Sequence, residues 1–294
     1  MTPLARRLAA ALLATMLAAC APLDVESADV EVVATTSVLG DVVAEVVGDG
    51  ATVETLIPSG ADPHGYQASA AQAASVRRAD LVVAIGLGLE EGLASVLEAA
   101  AADGVPVLEV APRLDPIAGD PHVWLDPLRM AEAARLIGAR LEQHAGAGAW
   151  TDRADRYAEH LQTVHEEVAS VLAAVPPDRR LLVSDHDSLG YLAQRYDFTV
   201  LGTIVPGTSP LAAPTARHLA MLAARVRDED VPAVFIDVTS PDTVAEALRR
   251  EAGSEVTVVR LHVGSLGPPD TAAGTYEGLL LDNARRIADA LGGW

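Results

Sequence analysis

The chain has 294 residues and half of them are apolar, so it is long enough for about two domains with buried cores, which excludes intrinsic disorder as the dominant state. Its 41 acidic residues against 21 basic ones give a formal charge of −20, and such a surface repels a phosphate backbone, which argues against nucleic-acid binding. The single cysteine excludes an intramolecular disulfide and a thiolate zinc cluster.

The first predicted element is a targeting segment. Two arginines precede an apolar run over residues 8–17, which is too short to span a bilayer and is typical of a secretory signal. The run ends in Leu17-Ala18-Ala19-Cys20, which resembles the lipobox of bacterial lipoproteins, where lipid is attached to the cysteine. We therefore expect a signal peptide over residues 1–19, lipidation at Cys20 and a tether over residues 20–29. The alternative is an ordinary secretory signal with an unrelated cysteine.

Eight short β-branched runs follow, separated by longer stretches rich in alanine, leucine, arginine and glutamate. Strands that alternate with helical patterns predict βα units and mostly parallel sheets, hence an α/β protein with four strands in each half. The predicted strands are Val30–Thr35, Thr52–Ile57, Leu81–Ile85 and Val107–Val110, then Leu181–Ser184, Thr199–Gly202, Ala233–Ile236 and Val256–Leu261.

The most periodic segment lies between the two sets of strands. From residue 151 to 175 the apolar positions recur in steps of three and four, which is typical of one face of an α-helix. Its 25 residues would span about 37 Å, enough to run along both halves. This predicts an N-terminal lobe over residues 30–150, a connecting helix over 151–175 and a C-terminal lobe over 176–294. The alternative is a surface helix within one lobe.

Three histidines lie where predicted strands end. His64 follows the second strand, His122 follows the fourth and His186 follows the fifth. Ligands of open α/β sheets bind beyond the carboxyl ends of the strands, and imidazole is a common ligand of zinc and other late divalent metals. These three residues are therefore the candidate metal ligands. We predict surface positions for the four histidines that fall on predicted helices, which are His144, His160, His165 and His218.

The loops that carry these histidines resemble those of a known family. The strings are Val33–Asp41, Gly60-Ala61-Asp62-Pro63-His64, Asp120–Pro127, His186–Tyr191, Pro206–Pro210 and Ser265-Leu266-Gly267. Together they resemble the metal-binding solute receptors of ABC transporters for zinc and manganese (the TroA/ZnuA-like family, cluster A-I). The resemblance implies two Rossmann-like lobes joined by one long helix, with a metal held in the cleft between them.

The fourth ligand departs from the family pattern. Members typically carry an aspartate just before the final Ser-Leu-Gly, but this chain has Gly264 there, and glycine has no donor atom. Three alternatives stay open: water completes the site, or Asp237 at the end of the seventh strand substitutes, or His262 does so from the same strand face as Gly264. A vacant position would predict that an aspartate at residue 264 tightens metal binding.

The resemblance implies a function that the residues support in part. It implies an extracytoplasmic, lipid-anchored solute-binding protein, on the periplasmic side or the cell surface, that passes a divalent metal to an ABC permease. Three imidazoles with few carboxylates favour Zn²⁺, whereas Mn²⁺, which stays possible, prefers oxygen ligands. We expect a monomer without enzymatic activity.

Two other functions are compatible with the same residues. One is a zinc hydrolase, since three histidines and an open water position are typical of catalytic zinc, although no HExxH-like glutamate accompanies a ligand. The other is a metallochaperone or adhesin on the same fold.

Overall fold

A computed structural model describes residues 30–292 except residues 118, 147, 254 and 255. The expected signal peptide, the lipidation site Cys20 and the tether lie outside the described residues. The strands are β1 Val30–Ala34, β2 Ala51–Thr55, β3 Leu81–Ala84 and β4 Val107–Glu109, then β5 Leu181–Ser184, β6 Thr199–Thr203, β7 Ala233–Asp237 and β8 Thr257–Leu261. All eight predicted strands are confirmed, and each predicted end lies within two residues of the observed end.

Nine α-helices connect the strands within the described part of the chain. They are α1 Ser37–Val47, α2 Ala70–Arg78, α3 Ala94–Ala102, α4 Pro127–His144, α5 Trp150–Leu172, α6 Gly190–Tyr196, α7 Ala216–Asp228, α8 Asp242–Ala252 and α9 Tyr276–Leu291. No helix among the described residues is long and apolar enough to cross a bilayer.

The strands form two four-stranded sheets with the same topology. Their orders are β2-β1-β3-β4 and β6-β5-β7-β8, and every recorded strand pair is parallel. In each sheet the chain order reverses beside the first strand, between β1 and β3 and between β5 and β7. Such a reversal leaves a crevice beyond the carboxyl ends of the strands, which is where open α/β sheets bind ligands. The predicted α/β class is confirmed.

The inner strands are buried because helices cover both faces of each sheet. All residues of β3 and of β7 are buried, as expected of parallel strands between two helical layers. β7 ends in Asp237, whose carboxylate is therefore carried into the interior at the end of an otherwise apolar strand. The fold thus delivers a charged group to the crevice of the second sheet.

The helix α5 connects the two halves. It buries the predicted apolar face, including Ala154, Leu161 and Val168, and its 23 residues span about 35 Å. It packs along α4 and also contacts α1 and α9, so helices from both halves of the chain lie against it. The crossing with α4 is close: a Cβ placed on Gly138 would lie 2.7 Å from the Cβ of Ala154.

Candidate metal centre

The three predicted histidines come together between the two sheets. One ring nitrogen from each of His64, His122 and His186 lies within 4.8 Å of the other two, and all three side chains are buried. The Nε2 atoms of His122 and His186 are 3.3 Å apart. A tetrahedral zinc ion with Zn–N bonds of about 2.0–2.1 Å holds two ligand nitrogens roughly 3.3 Å apart. The cluster therefore has the spacing of a metal site.

Carboxylates orient two of the three rings. The Oδ1 atom of Asp120 lies 2.7 Å from His122 Nδ1, and the Oδ1 atom of Asp185 lies 3.0 Å from His186 Nδ1. A carboxylate on Nδ1 fixes the proton there and directs the Nε2 lone pair toward a metal. The same Oδ1 atom of Asp120 also accepts a hydrogen bond from the His122 backbone N–H, at 2.9 Å, which the Asp-Pro-His order allows.

Burial keeps two of the three rings, those of His64 and His122, in the neutral form that binds a cation. Burial lowers the pKa of His64 to about 3, with the other two histidines adding to the effect. Burial also lowers the pKa of His122, although the hydrogen bond that its ring donates to Asp120 opposes the shift. Burial acts in the same sense on His186, but the hydrogen bond and charge of Asp185 outweigh it and raise the pKa. His64 and His122 therefore keep a free lone pair at neutral pH.

Asp237 lies behind the cluster rather than in it. Its Oδ1 atom accepts hydrogen bonds from the backbone N–H and the hydroxyl of Thr239, at 2.7 and 2.9 Å, and its Oδ2 atom accepts the Gly264 N–H. Among the described residues, no carboxylate oxygen joins the three converging ring nitrogens. The Asp237 carboxylate nevertheless acts on the site electrostatically, because its charge contributes to the raised pKa of His186, while burial and the charge of Asp185 raise the pKa of Asp237 itself.

The space beside Gly264 is not open. A Cβ on Gly264 would lie 3.0 Å from Pro63 Cδ and 3.2 Å from Asp237 Oδ2. An aspartate at this position would therefore lie close to the Asp237 carboxylate, and Pro63 would have to shift by a few tenths of an ångström to admit it. That such an aspartate tightens metal binding stays a prediction. Asp237 occupies the neighbourhood where the family resemblance places the missing carboxylate.

His262 faces another part of the molecule. Its Nε2 atom lies 4.0 Å from Asp282 Oδ2 on α9, and its backbone N–H donates to Asn283 Oδ1 at 2.9 Å. The strand β8 ends at Leu261, so the alternation that would align His262 with Gly264 does not extend this far. The structure does not bring His262 to the cluster.

The histidines on helices stand apart from the site. His144 and His160 are exposed, as predicted. His165 and His218 are half-buried and make contacts that the sequence did not predict: His165 stacks on Tyr196, and His218 Nε2 lies 2.7 Å from the Thr203 carbonyl oxygen.

Hydrogen bonds between the two halves of the chain surround the cluster. Trp124, whose ring centroid is 5.1 Å from that of His122, donates its Nε1–H to the Val263 carbonyl at 2.7 Å. The Gly60 N–H donates to Ser265 Oγ at 2.6 Å. These contacts tie the loops of His64 and His122 to the segment after β8. The motifs quoted above contain all of these residues except Val263, but only the fold shows which partners they meet.

An ion pair missed at the sequence level lies on the same boundary. Arg195 on α6 makes two hydrogen bonds to Asp126, from Nε to Oδ1 at 2.9 Å and from Nη2 to Oδ2 at 2.7 Å. The Asp126 carboxylate also accepts the Leu128 N–H at the start of α4. The pair connects the element after His122 with the element after His186.

Two parallel sheets with a buried histidine cluster between them define a metal-binding receptor of the kind that serves ABC transporters. The chain belongs to this family: the model described as "ZnuA: Zinc-uptake complex component A periplasmic" matches residues 32–290. The two halves, the crevice position and the histidine loops all fall within the matched range.

Relatives in the family differ in the metal that their names record. The manganese-binding lipoprotein MntA of Bacillus subtilis (strain 168) is 31% identical, with 90% of this chain and 92% of the relative covered. The zinc-binding protein TroA of Treponema pallidum (strain Nichols) is 29% identical over 88% of each chain. The iron-binding protein YfeA of Yersinia pestis is 27% identical, with 89% of this chain and 86% of the relative covered.

The fold similarity is close. The solved structure of periplasmic zinc binding protein TroA from Treponema pallidum superimposes with a TM-score of 0.82, at 27% identity, covering 90% of this chain and 99% of that one. The family and the fold are thus established, while the metal varies among the relatives.

Proposed function

We propose that this chain is the lipid-anchored, extracytoplasmic receptor of an ABC importer, and that it captures one Zn²⁺ ion with His64, His122 and His186 and delivers it to the permease. The observation that carries the proposal is the convergence of three buried ring nitrogens within 4.8 Å. The description of the matching family as a zinc-uptake component supports the transport role, and the name of MntA as a lipoprotein supports the anchor. Cys20 is the residue we assign to lipidation.

The preference for zinc follows from the donor atoms. Three imidazoles are a usual zinc ligand set, whereas manganese prefers carboxylate, carbonyl and water oxygens. Among the described residues the cluster contains nitrogen donors only. We assign the fourth position to water, with Asp237 as a nearby negative charge that compensates the cation without binding it.

Delivery follows from the way the ligands are distributed. His64 and His122 come from the half of the chain before α5, which we take as one lobe over residues 30–150. His186 comes from the half after it, which we take as a second lobe over residues 176–294. A movement that parts the lobes breaks the ligand set, and the ion is then held by two nitrogens at most. Release to a permease therefore needs no chemistry on the ligands.

Competition titrations of the purified protein with Zn²⁺ and Mn²⁺ test the proposal. We expect the protein to bind zinc more tightly than manganese. Loss of a residue that only supports a ligand typically weakens metal affinity by about 10–100-fold. We expect a larger loss of zinc affinity in each of three variants: His64→Ala, His122→Ala and His186→Ala. His144→Ala, on an exposed histidine, is the matched control and should bind as wild type.

The outcomes separate the parts of the proposal. A histidine variant with wild-type zinc affinity shows that the residue is not a ligand. Tighter manganese than zinc binding rejects the metal assignment. Asp237→Asn tests which group occupies the fourth position. A loss of zinc affinity as large as that of a histidine variant makes Asp237 a direct ligand, whereas a loss of about tenfold or less agrees with water there.

A further inference from the structure

Each of the three histidines follows an aspartate, and the three aspartates make the same backbone contact. Asp62, Asp120 and Asp185 each accept the backbone N–H of their histidine through Oδ1, at 2.9 Å in all three cases. As elements of loop structure the three carboxylates are therefore equivalent. They differ in what else they touch.

Only two of the carboxylates reach the imidazole ring. Asp120 and Asp185 contact Nδ1 of His122 and His186, so these rings have a fixed orientation and direct Nε2 into the centre. Their Nε2 atoms are 3.3 Å apart, and one ring comes from each half of the chain. This pair already has the spacing that a metal ion requires.

The third ring has no such support. The Nδ1 atom of His64 is buried, and no hydrogen-bond acceptor reaches it among the described residues. The His64 ring centroid is 5.6 Å from His122 and 5.7 Å from His186, against 5.1 Å between those two rings. No hydrogen bond in the described part of the chain therefore fixes the orientation of this ring, in contrast to the other two.

We propose that Asp120 and Asp185 are positioning residues that make His122 and His186 a preformed metal-binding pair, and that His64 is the ligand that joins last and leaves first. This inference rests on the proposed function, since it concerns the same three ligands. It assigns an order to capture: the ion first meets the oriented pair, and the turn of His64 then closes the site.

Preorganisation gives the physical reason for the order. A ring that is already oriented loses little conformational freedom when it binds, whereas a free ring pays for its ordering from the binding energy. The pair therefore holds most of the affinity, and the free ring governs the rate at which the ion leaves. The contact of Asp120 with the ring is the simplest to remove, because Asp185 also accepts the Asp237 N–H and the Ser240 hydroxyl.

The test compares Asp120→Ala with Asp62→Ala. Each alanine removes the backbone N–H bond and one negative charge near the site, so loop structure and net charge change alike, while only Asp120→Ala also removes a contact with the ring. We expect Asp120→Ala to weaken Zn²⁺ binding by about 10–100-fold with faster release to a chelator, and Asp62→Ala to change it by less than about threefold. Thermal unfolding of both variants checks that they fold.

A second measurement is independent of metal affinity. Nitrogen-15 spectra of the metal-free protein report which ring nitrogen carries the proton. We expect His122 to carry it on Nδ1 in wild type and in Asp62→Ala, and to lose that preference in Asp120→Ala, which has no acceptor for Nδ1–H. A purely structural role for Asp120 would leave the tautomer unchanged.

Residual affinity tests the order of the ligands. We expect His64→Ala to retain Zn²⁺ binding at least about tenfold tighter than His122→Ala, because the oriented pair survives in the first variant only. Equal residual affinities, or equal effects of Asp120→Ala and Asp62→Ala on binding and tautomer, overturn the inference. If wild type binds no Zn²⁺, the proposed function fails instead, while the tautomer measurement still decides the role of Asp120.

Discussion

Replacing Arg195 by glutamine removes a charge that reaches across the boundary between the two halves of the molecule. The Asp126 side chain is 2% exposed and the Arg195 side chain 32% exposed, so the carboxylate loses its main cationic partner without gaining access to water. It retains the Leu128 N–H bond at 3.0 Å and a longer contact of 3.4 Å with Arg129.

The size of the effect follows from these contacts. Breaking a fully buried ion pair costs about 3–5 kcal/mol, and a hydrogen bond to a charged group contributes about 1.5–3 kcal/mol. Because Arg195 is partly exposed and Arg129 remains nearby, we expect Arg195→Gln to lower the free energy of unfolding by roughly 2–3 kcal/mol. For a chain of this size that is a fall in Tm of roughly 5–10 °C.

Thermal and urea unfolding of the metal-free protein measure this change. Arg135→Gln is the matched control, since Arg135 also makes two hydrogen bonds to carboxylates, those of Glu132 and Asp155, but its side chain is 41% exposed. We expect its loss of stability to stay below about 1 kcal/mol. Asp126→Asn combined with Arg195→Gln should recover part of the loss, because no buried charge is then left unpaired. Equal effects of the two arginine variants would refute the argument from burial.

Three further substitutions test other parts of the molecule. Burial, with two neighbouring glutamates, raises the pKa of Asp41, so its ionisation lowers the stability of the folded protein as the pH rises above the usual 3.8. Asp41→Asn keeps an acceptor for the Tyr276 N–H, and urea unfolding at neutral pH should show a gain in stability of up to about 1 kcal/mol. Gly138→Ala should lower the urea midpoint, by about 1–3 kcal/mol in stability, because its Cβ meets Ala154. Cys20→Ser should release the protein from the membrane fraction without changing zinc affinity.

Each of these has a result that contradicts it. The Asp41→Asn gain must vanish as the pH falls below the unfolded value, where both states are protonated; a gain that persists in acid has another cause. Helix propensity alone predicts that Gly138→Ala stabilises α4, so a higher midpoint would show that the crossing is loose. A serine variant at residue 20 that stays lipid-modified would reject the lipobox interpretation.

The strands and the three candidate histidines could be predicted from the sequence because both depend on local sequence pattern. Buried parallel strands are apolar on both faces, as β3 and β7 are, so short β-branched runs mark them without knowledge of their neighbours. The end of a strand fixes where the next residue lies, and that places His64 and His122 at the carboxyl edge of the first sheet and His186 at that of the second. Chain order and periodicity therefore predicted the candidate ligands, while their meeting between the sheets was implied by the family resemblance.

The supporting contacts depend instead on pairs of distant residues. Asp126 and Arg195 are 69 positions apart, and Asp237 and Gly264 are 27 apart, so no spacing rule connects them. The crowding beside Gly264 also comes from Pro63, which belongs to the other half of the chain. Such contacts follow only from how the two sheets are placed relative to each other, and sequence periodicity does not determine that placement.

The position of Trp124 has a consequence for spectroscopy. The chain has three tryptophans: Trp124 beside His122, Trp150 buried at the start of α5, and Trp294 outside the described residues. The Trp124 indole touches a candidate ligand ring on one side and hydrogen-bonds across the cleft on the other. We therefore expect its emission to change when an ion binds at His122 and when the two halves of the chain move relative to each other, so a Trp150→Phe, Trp294→Phe background offers an optical readout of metal capture.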